Sequence, residues 1–433
     1  VTPPDQPLGA RASGARTRFR RRSDYLALGL IVVVVLGLTA LVWGTSDVGA
    51  TVSQTAPSAG ASVPAEPDAV PGRLREVWRA PSGATPRPVV AGSSVVTGDG
   101  GTVTGRDPLT GKWRWRYTRD IPLCTVAVEW SKVLTVYHKY GGLLPSDAQQ
   151  AHGNCSEVTA LNSTTGARKE QRNGNAELGT RLVTDGNYVT TTGSRLLDTW
   201  RSDLVQTSEY GKVPDTRNPG RQPRSGCTYG SVTEGGDNIG VIERCPGDAT
   251  DRLTVYSAVN PDDDEADRPD VKYTLELPGK RARVVAMTDD AVAVALPDPS
   301  RLLIYATSED KQLASYPLDV PATDLNTDPP GHLVPVVRGS VAMYWYTGSS
   351  TVALDPDDFR PLWTIKDTIG PAVEFAGRTL LPTPAGLAVL DMDTGQRLRD
   401  IPVDRGGYRG PVEPATIGPV VLEQRGAKLV ALR

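Results

Sequence analysis

Few residues in this chain carry chemistry, and their spacing excludes more than it suggests. Four cysteines stand at Cys124, Cys155, Cys227 and Cys245, and three histidines at His138, His152 and His332. No CxxC pair and no Cys/His cluster with zinc-ligand spacing occurs, so no metal site is expected. An even cysteine count in an oxidising compartment reads as structural disulfides. Three pairings are open; Cys124 with Cys155 and Cys227 with Cys245 is the local choice. His138 lies in the strand-like Val136-Tyr137-His138 and reads as a strand residue. The run from Asn260 to Asp270 is acidic, but it lacks the glycine and spaced ligands of a calcium loop. Its basic counterpart, 211–226, carries Lys212, Arg217, Arg221 and Arg224 among Pro and Gly. Both read as solvated loop extensions able to steer a partner. P-loop, GxSxG and HExxH runs are missing, and Gly98-Asp99-Gly100-Gly101 is a hairpin turn, so no catalytic or cofactor-binding residue is assigned.

The elements that would position such residues are visible in a repeat. Gly105-Arg106-Asp107 leads through Leu109-Thr110 to Gly111 and on to Trp115. Ala160-Leu161-Asn162 leads to Gly166, Ala353-Leu354-Asp355 to Trp363, and Val389-Leu390-Asp391 to Gly395. In each, a strand delivers an apolar residue, Asp or Asn caps the turn, and Gly supplies the positive φ that closes it. The following strand carries a Trp wide enough to fill the gap to a neighbouring sheet. At that position the second copy has Glu170 and the fourth Arg399.

These residues resemble the tryptophan-docking repeat of the quinoprotein (PQQ-like) β-propeller family, whose members include the propeller of the bacterial outer-membrane assembly lipoprotein. The resemblance covers about 360 residues and implies an all-β propeller. It also brings to mind PQQ and calcium in a central funnel, the quinone stacked on a disulfide of adjacent cysteines. No Cys-Cys exists in this chain, and no residue matches the calcium or base carboxylates of those enzymes. No cofactor is therefore expected, and a PQQ-dependent dehydrogenase is the disfavoured reading.

Following the strand pattern gives repeats at 86–120, 121–175, 176–211, 225–278, 282–318, 333–367 and 370–404. The tail supplies Val420-Val421-Leu422 and Leu429-Val430-Ala431-Leu432 and stops one strand short. An orphan strand, Arg73 to Trp78, opens the domain. Pairing it with the C-terminal strands completes an eighth blade and removes the open edges. Seven blades is the alternative, should the third repeat be an insertion. Trp78, Trp115 and Trp363 are the expected blade-docking residues.

The N-terminal region sets the compartment. Residues 25–43 are an uncharged apolar stretch long enough for a transmembrane helix. Arg11, Arg16, Arg18, Arg20, Arg21 and Arg22 precede it, and the next basic residue is Arg73. The positive-inside rule puts the tail, 1–24, in the cytoplasm and everything after the span outside. A signal peptide cleaved after Val48-Gly49-Ala50 is the rival, but the apolar core is long for one. Residues 44–72, rich in Ser, Thr, Ala and Pro, read as a flexible tether, and 73–433 as the propeller. With a net charge of −3 no nucleic-acid partner is expected. Arginine outnumbers lysine 37 to 10, which reads as the codon bias of a high-GC, actinobacterial-type genome. The functional expectation is a single-pass cell-membrane protein with an extracytoplasmic, non-catalytic scaffold or adaptor propeller. It would bind envelope protein partners through its loops. The alternative is an envelope sensor of glycans or peptides.

Overall fold

Short strands with buried apolar positions, broken by Gly, Asp and Asn turns, fold as antiparallel four-strand sheets in the computed structural model. It describes residues 22–45, 49–57, 62–139, 153–213, 220–262 and 268–433. The tail arginines 11–21, His152, Arg217 and the acidic positions 263–267 lie outside the described residues. The chain divides into two units, 1–51 and 52–433.

In the first unit one helix spans Arg22–Thr45 with Asp24 in its first turn. Its stretch from Arg22 to Gly44 is long and apolar enough to cross a membrane.

The second unit is an eight-bladed propeller. Seven blades, spanning 89–118, 123–173, 182–211, 228–276, 283–317, 336–366 and 373–402, are each built from consecutive strands. The eighth joins three strands between Val412 and Leu432 to Glu76–Pro81. Arg75 and Arg433 exchange backbone hydrogen bonds of 2.9 Å beyond that pairing, so the first and last segments of the propeller are sealed into one sheet. The ring closes as expected, with eight blades.

The 44–72 stretch departs from the flexible tether expected. Val52–Gln54 adds a fifth strand to the outer edge of blade one, pairing Val52 with Thr118 and Gln54 with Arg116. The Ala56 N–H donates to the Thr165 carbonyl at 2.9 Å. Val63 packs into the blade-eight core, and Val70 is buried beside blade seven. Low-complexity composition concealed this because an edge strand needs only backbone groups and a few small apolar side chains.

Apolar residues from facing blades form the core in the seams. Every seam but the last is bridged from the outer strand or adjoining part of one blade to the third-strand turn of the next. Trp78 lies on Gly111, its Nε1 donating to the Pro108 carbonyl at 2.8 Å. Trp115, fully buried, lies on Gly166 and donates to Ser163 O at 3.2 Å. Trp363 lies on Gly395. A Cβ on Gly111 or Gly166 would stand 2.7 or 2.6 Å from the ring. Both glycines also hold φ near +70° (68° and 71°). Two demands therefore meet at one position: a left-handed backbone and room for an indole. The caps behave as expected. Asp107 Oδ1 accepts from the Leu109 and Thr110 N–H groups, Asn162 Oδ1 from Thr164 and Thr165, Asp355 Oδ1 from Asp357 and Asp358, and Asp391 Oδ1 from Thr394.

The remaining seams use other means. Ala314 occupies the docking position of blade five, opposite Ile304. The blade-six turn replaces Gly with Phe359, at φ +58° and fully buried, and both residues share one cluster. Large and small have exchanged sides. Tyr273 of blade four donates its hydroxyl to Ala306 O at 2.9 Å, as an indole N–H does elsewhere. Lys132 bridges Glu170 at 2.8 Å and the Ser202 carbonyl of the blade-three turn at 2.7 Å. Thr207 donates to Ala258 O at 2.7 Å. Arg399 meets no turn, because in blade eight the chain ends occupy that place. It donates to Val70 O at 2.7 Å and Pro71 O at 3.2 Å.

Trp115→Ala should cost about 3–5 kcal/mol in urea unfolding, as buried aromatic truncations do. Phe359→Gly should destabilise similarly, and adding Ala314→Trp should recover part of the loss. A double-mutant cycle without positive coupling would refute the exchange.

Candidate functional site

Blade topology sorts the molecule into two ends. Linkers from each outer strand to the next innermost strand gather at one end of the central channel, together with the turns between second and third strands. Both disulfides form at this end, Cys124–Cys155 and Cys227–Cys245, the local pairing expected. Each would stabilise by roughly 3 kcal/mol through loop closure. Buried Arg–Glu pairs staple seams here. Arg119 meets Glu157, and Arg405 meets Glu423 at 2.8 Å. Glu243 accepts from Arg224 at 2.7 Å and from the Tyr210 hydroxyl at 2.7 Å.

The longest fully described linker, 318–335, folds toward this end of the channel and is held by four blades. Asp328 takes both Arg244 nitrogens at 2.6 and 2.7 Å. Arg281 donates to Asn326 O at 2.5 Å, and Arg283 to Asp324 O at 2.6 Å. Thr192 donates to Gly331 O at 2.6 Å, and His332 Nδ1 lies 3.3 Å from Gly230 O. In the sixth blade Thr347 and Ser349 donate to Asp324 Oδ2 at 2.6 and 2.9 Å.

Between this linker and blades eight and one opens a cavity of about 650 Å³. Arg87, Arg181, Arg283, Asp324, Asp328 and Glu413 supply its charges; Tyr346, Tyr408 and several prolines supply its apolar walls. Burial lowers the pKa of Arg87, with Glu413 opposing, and lowers Arg181 with no carboxylate offsetting it. Arg283 is lowered by burial too, against Asp328 and Asp324. Burial pushes the Glu413 carboxyl up to about 7, Arg87 restraining the rise.

The opposite end gathers the turns between first and second strands. Glu234, 3 % exposed, has no hydrogen-bond partner on either carboxylate oxygen among the described residues. Its pKa is raised well above the usual value by burial, helped by Asp185 and Glu129 and opposed by Thr190. Asp185 is paired with Arg338 at 3.2 Å.

Trp78, Trp115, Trp363 and the repeat turns lie in the seams and do not line the cavity. Sequence reading missed Arg87, Arg181, Arg283 and Glu413, because each belongs to a different blade or linker and no local motif joins them. Of the histidines, His332 belongs to the linker and faces Gly230 of blade four, and His138 is a strand residue. The quinone and calcium of the resembling family do not fit these residues. Neither disulfide joins adjacent cysteines, and among the described residues no three His, Cys, Asp or Glu side chains form a metal-holding group.

No protein-family model matches the chain, and no curated protein matches it at a significant level. Among solved structures it is similar to the computationally designed protein Ika8, at 12% identity and a TM-score of 0.53 over 83% of this chain and 98% of the other. It is also similar to PorZ, a surface component of the type-IX secretion system of Porphyromonas gingivalis. That match has 12% identity and a TM-score of 0.41, covering 83% of this chain and 46% of PorZ. At such identities the likeness shows the fold alone.

Two buried carboxyls, Asp198 and Glu234, and the half-buried Glu413 make stability pH-dependent. Glu413 and Asp198 are raised to about 7 from ordinary values of 4.5 and 3.8, and Glu234 is raised well above its ordinary value. The folded chain therefore holds protons that the unfolded chain releases above about pH 4–5. Stability should be full below that range and fall as pH rises through 7. Melting temperatures from pH 5 to 8 should decline, and Asp198→Asn with Glu413→Gln should flatten the decline.

Proposed function

We propose that this chain is a single-pass cell-membrane protein, its N-terminus cytoplasmic, whose propeller acts outside the cytoplasm as a non-catalytic scaffold or adaptor for envelope protein partners. The apolar helix is compatible with an anchor, and the arginines before it favour an inside N-terminus. Two disulfides suit an oxidising compartment. One observation carries the recognition role. A ring bridged at every seam leaves an open cavity at one end, lined by arginine, acidic, tyrosine and proline side chains that could recognise a partner. That cavity also favours a second reading, an envelope sensor for a small ligand or peptide.

Photo-crosslinkers placed at Thr323 and Tyr408 in cells, with Leu362 on the outer wall as control, should trap a reproducible envelope protein at the cavity end. Recovery of none from any of the three positions would remove the adaptor reading.

A further inference from the structure

Charge at the cavity is unevenly satisfied. Asp328 is locked by two bonds from Arg244, and Asp324 is turned to the hydroxyls of Thr347 and Ser349. Glu413 faces Arg87, and burial favours its neutral form. The arginines are less well served. Arg87 is half-buried, and among the described residues its guanidinium makes no hydrogen bond or ion pair with the protein. Its fork of N–H donors is therefore uncommitted. Arg181 donates one nitrogen to two carbonyls, Cys124 O and Thr180 O, both at a long 3.3 Å. Arg283, 4 % exposed, gives Nη2 to linker carbonyls and leaves Nε without a partner.

Desolvated cations without a direct ion-pair partner are costly, and an incoming anion relieves that cost through charge-assisted hydrogen bonds. Guanidinium geometry matches a carboxylate or a phosphate, and an apolar wall suits an anion carried on an apolar body. Facing these groups, Pro329, Pro330, Leu333, Val334 and Pro335 of the linker form a wall that offers few hydrogen bonds. A neutral, hydroxyl-rich ligand would find little to pair with there.

We propose that the cavity binds a carboxylate carried on an apolar body, with Arg87 and Arg181 gripping the carboxylate and the proline-leucine wall covering the rest. This rests on the ligand-binding reading above. The carboxylate has two natural sources, a free organic acid or the C-terminus of a peptide.

Calorimetric titration of the full chain in lipid nanodiscs, with empty nanodiscs subtracted, tests it. The probes are N-acetyl-leucine, the peptide Ala-Ala-Pro-Leu, the amide of each, and inorganic phosphate. Both acids should bind and both amides should bind at least tenfold more weakly. Tighter binding of the peptide acid supports a chain terminus, and tighter binding of N-acetyl-leucine supports a free acid. Arg87→Met should weaken the acids at least tenfold while leaving the melting temperature unchanged, since that side chain ties nothing together. Arg181→Met should act in the same direction. Equal binding of acid and amide, wild-type affinity in Arg87→Met, or phosphate binding as tightly as the acids would overturn the proposal. Crosslinked partners without acid binding would overturn it and leave the adaptor reading standing. Acid binding without crosslinked partners would do the reverse.

Discussion

A wide residue pressed onto a narrow one across the seam is the constraint on which this ring depends. Eight sheets have no common hydrogen-bond ladder, so blade-to-blade order must come from side-chain packing and a few directed bonds. Trp on Gly satisfies both needs: the ring fills the gap, and in two seams its N–H finds a backbone carbonyl. Where Trp is lost, each part of that contact is rebuilt. Phe359 restores the volume from the opposite side, Tyr273 restores the donor, and Lys132 and Arg399 restore a donor with charge.

Much of this was legible in the sequence because its signals are local. The Asp cap and the Trp eight residues after it sit in one stretch of chain, and they located blades one and six. The orphan Trp78 strand announced the closure. Blades three to five carried no such signature. Their docking devices are pairs of residues far apart in sequence, such as Ala314 with Phe359, neither unusual alone. The cavity was illegible for the same reason. Arg87, Arg181, Arg283 and Glu413 come from the linkers or innermost strands of four separate blades, and only ring closure brings them to one wall. The docked stretch around Val52 was hidden by a composition that resembles a spacer.

The two ends of the channel differ in electrostatic character. One concentrates arginines, disulfides and long linkers around an open cavity. The other holds Glu234 without a partner, close enough to Asp185 and Glu129 that each discourages its ionisation. The end a ligand approached would decide whether it met uncommitted guanidinium donors or a buried carboxyl that resists charge. Recognition is thereby given a polarity that the near-neutral net charge of the chain does not suggest.

The strand Val52–Gln54 matters for load. The segment that closes the ring, Glu76–Pro81, is also the first blade strand after the N-terminal unit, so a pull from the N-terminus would otherwise act directly on the closing seam. Pairing with blade one, the Ala56 bond to blade two and the packing of Val63 stand in series before that seam. They act as strain relief on a cable: tension must peel three residues from an edge before it reaches the joint that keeps the ring whole.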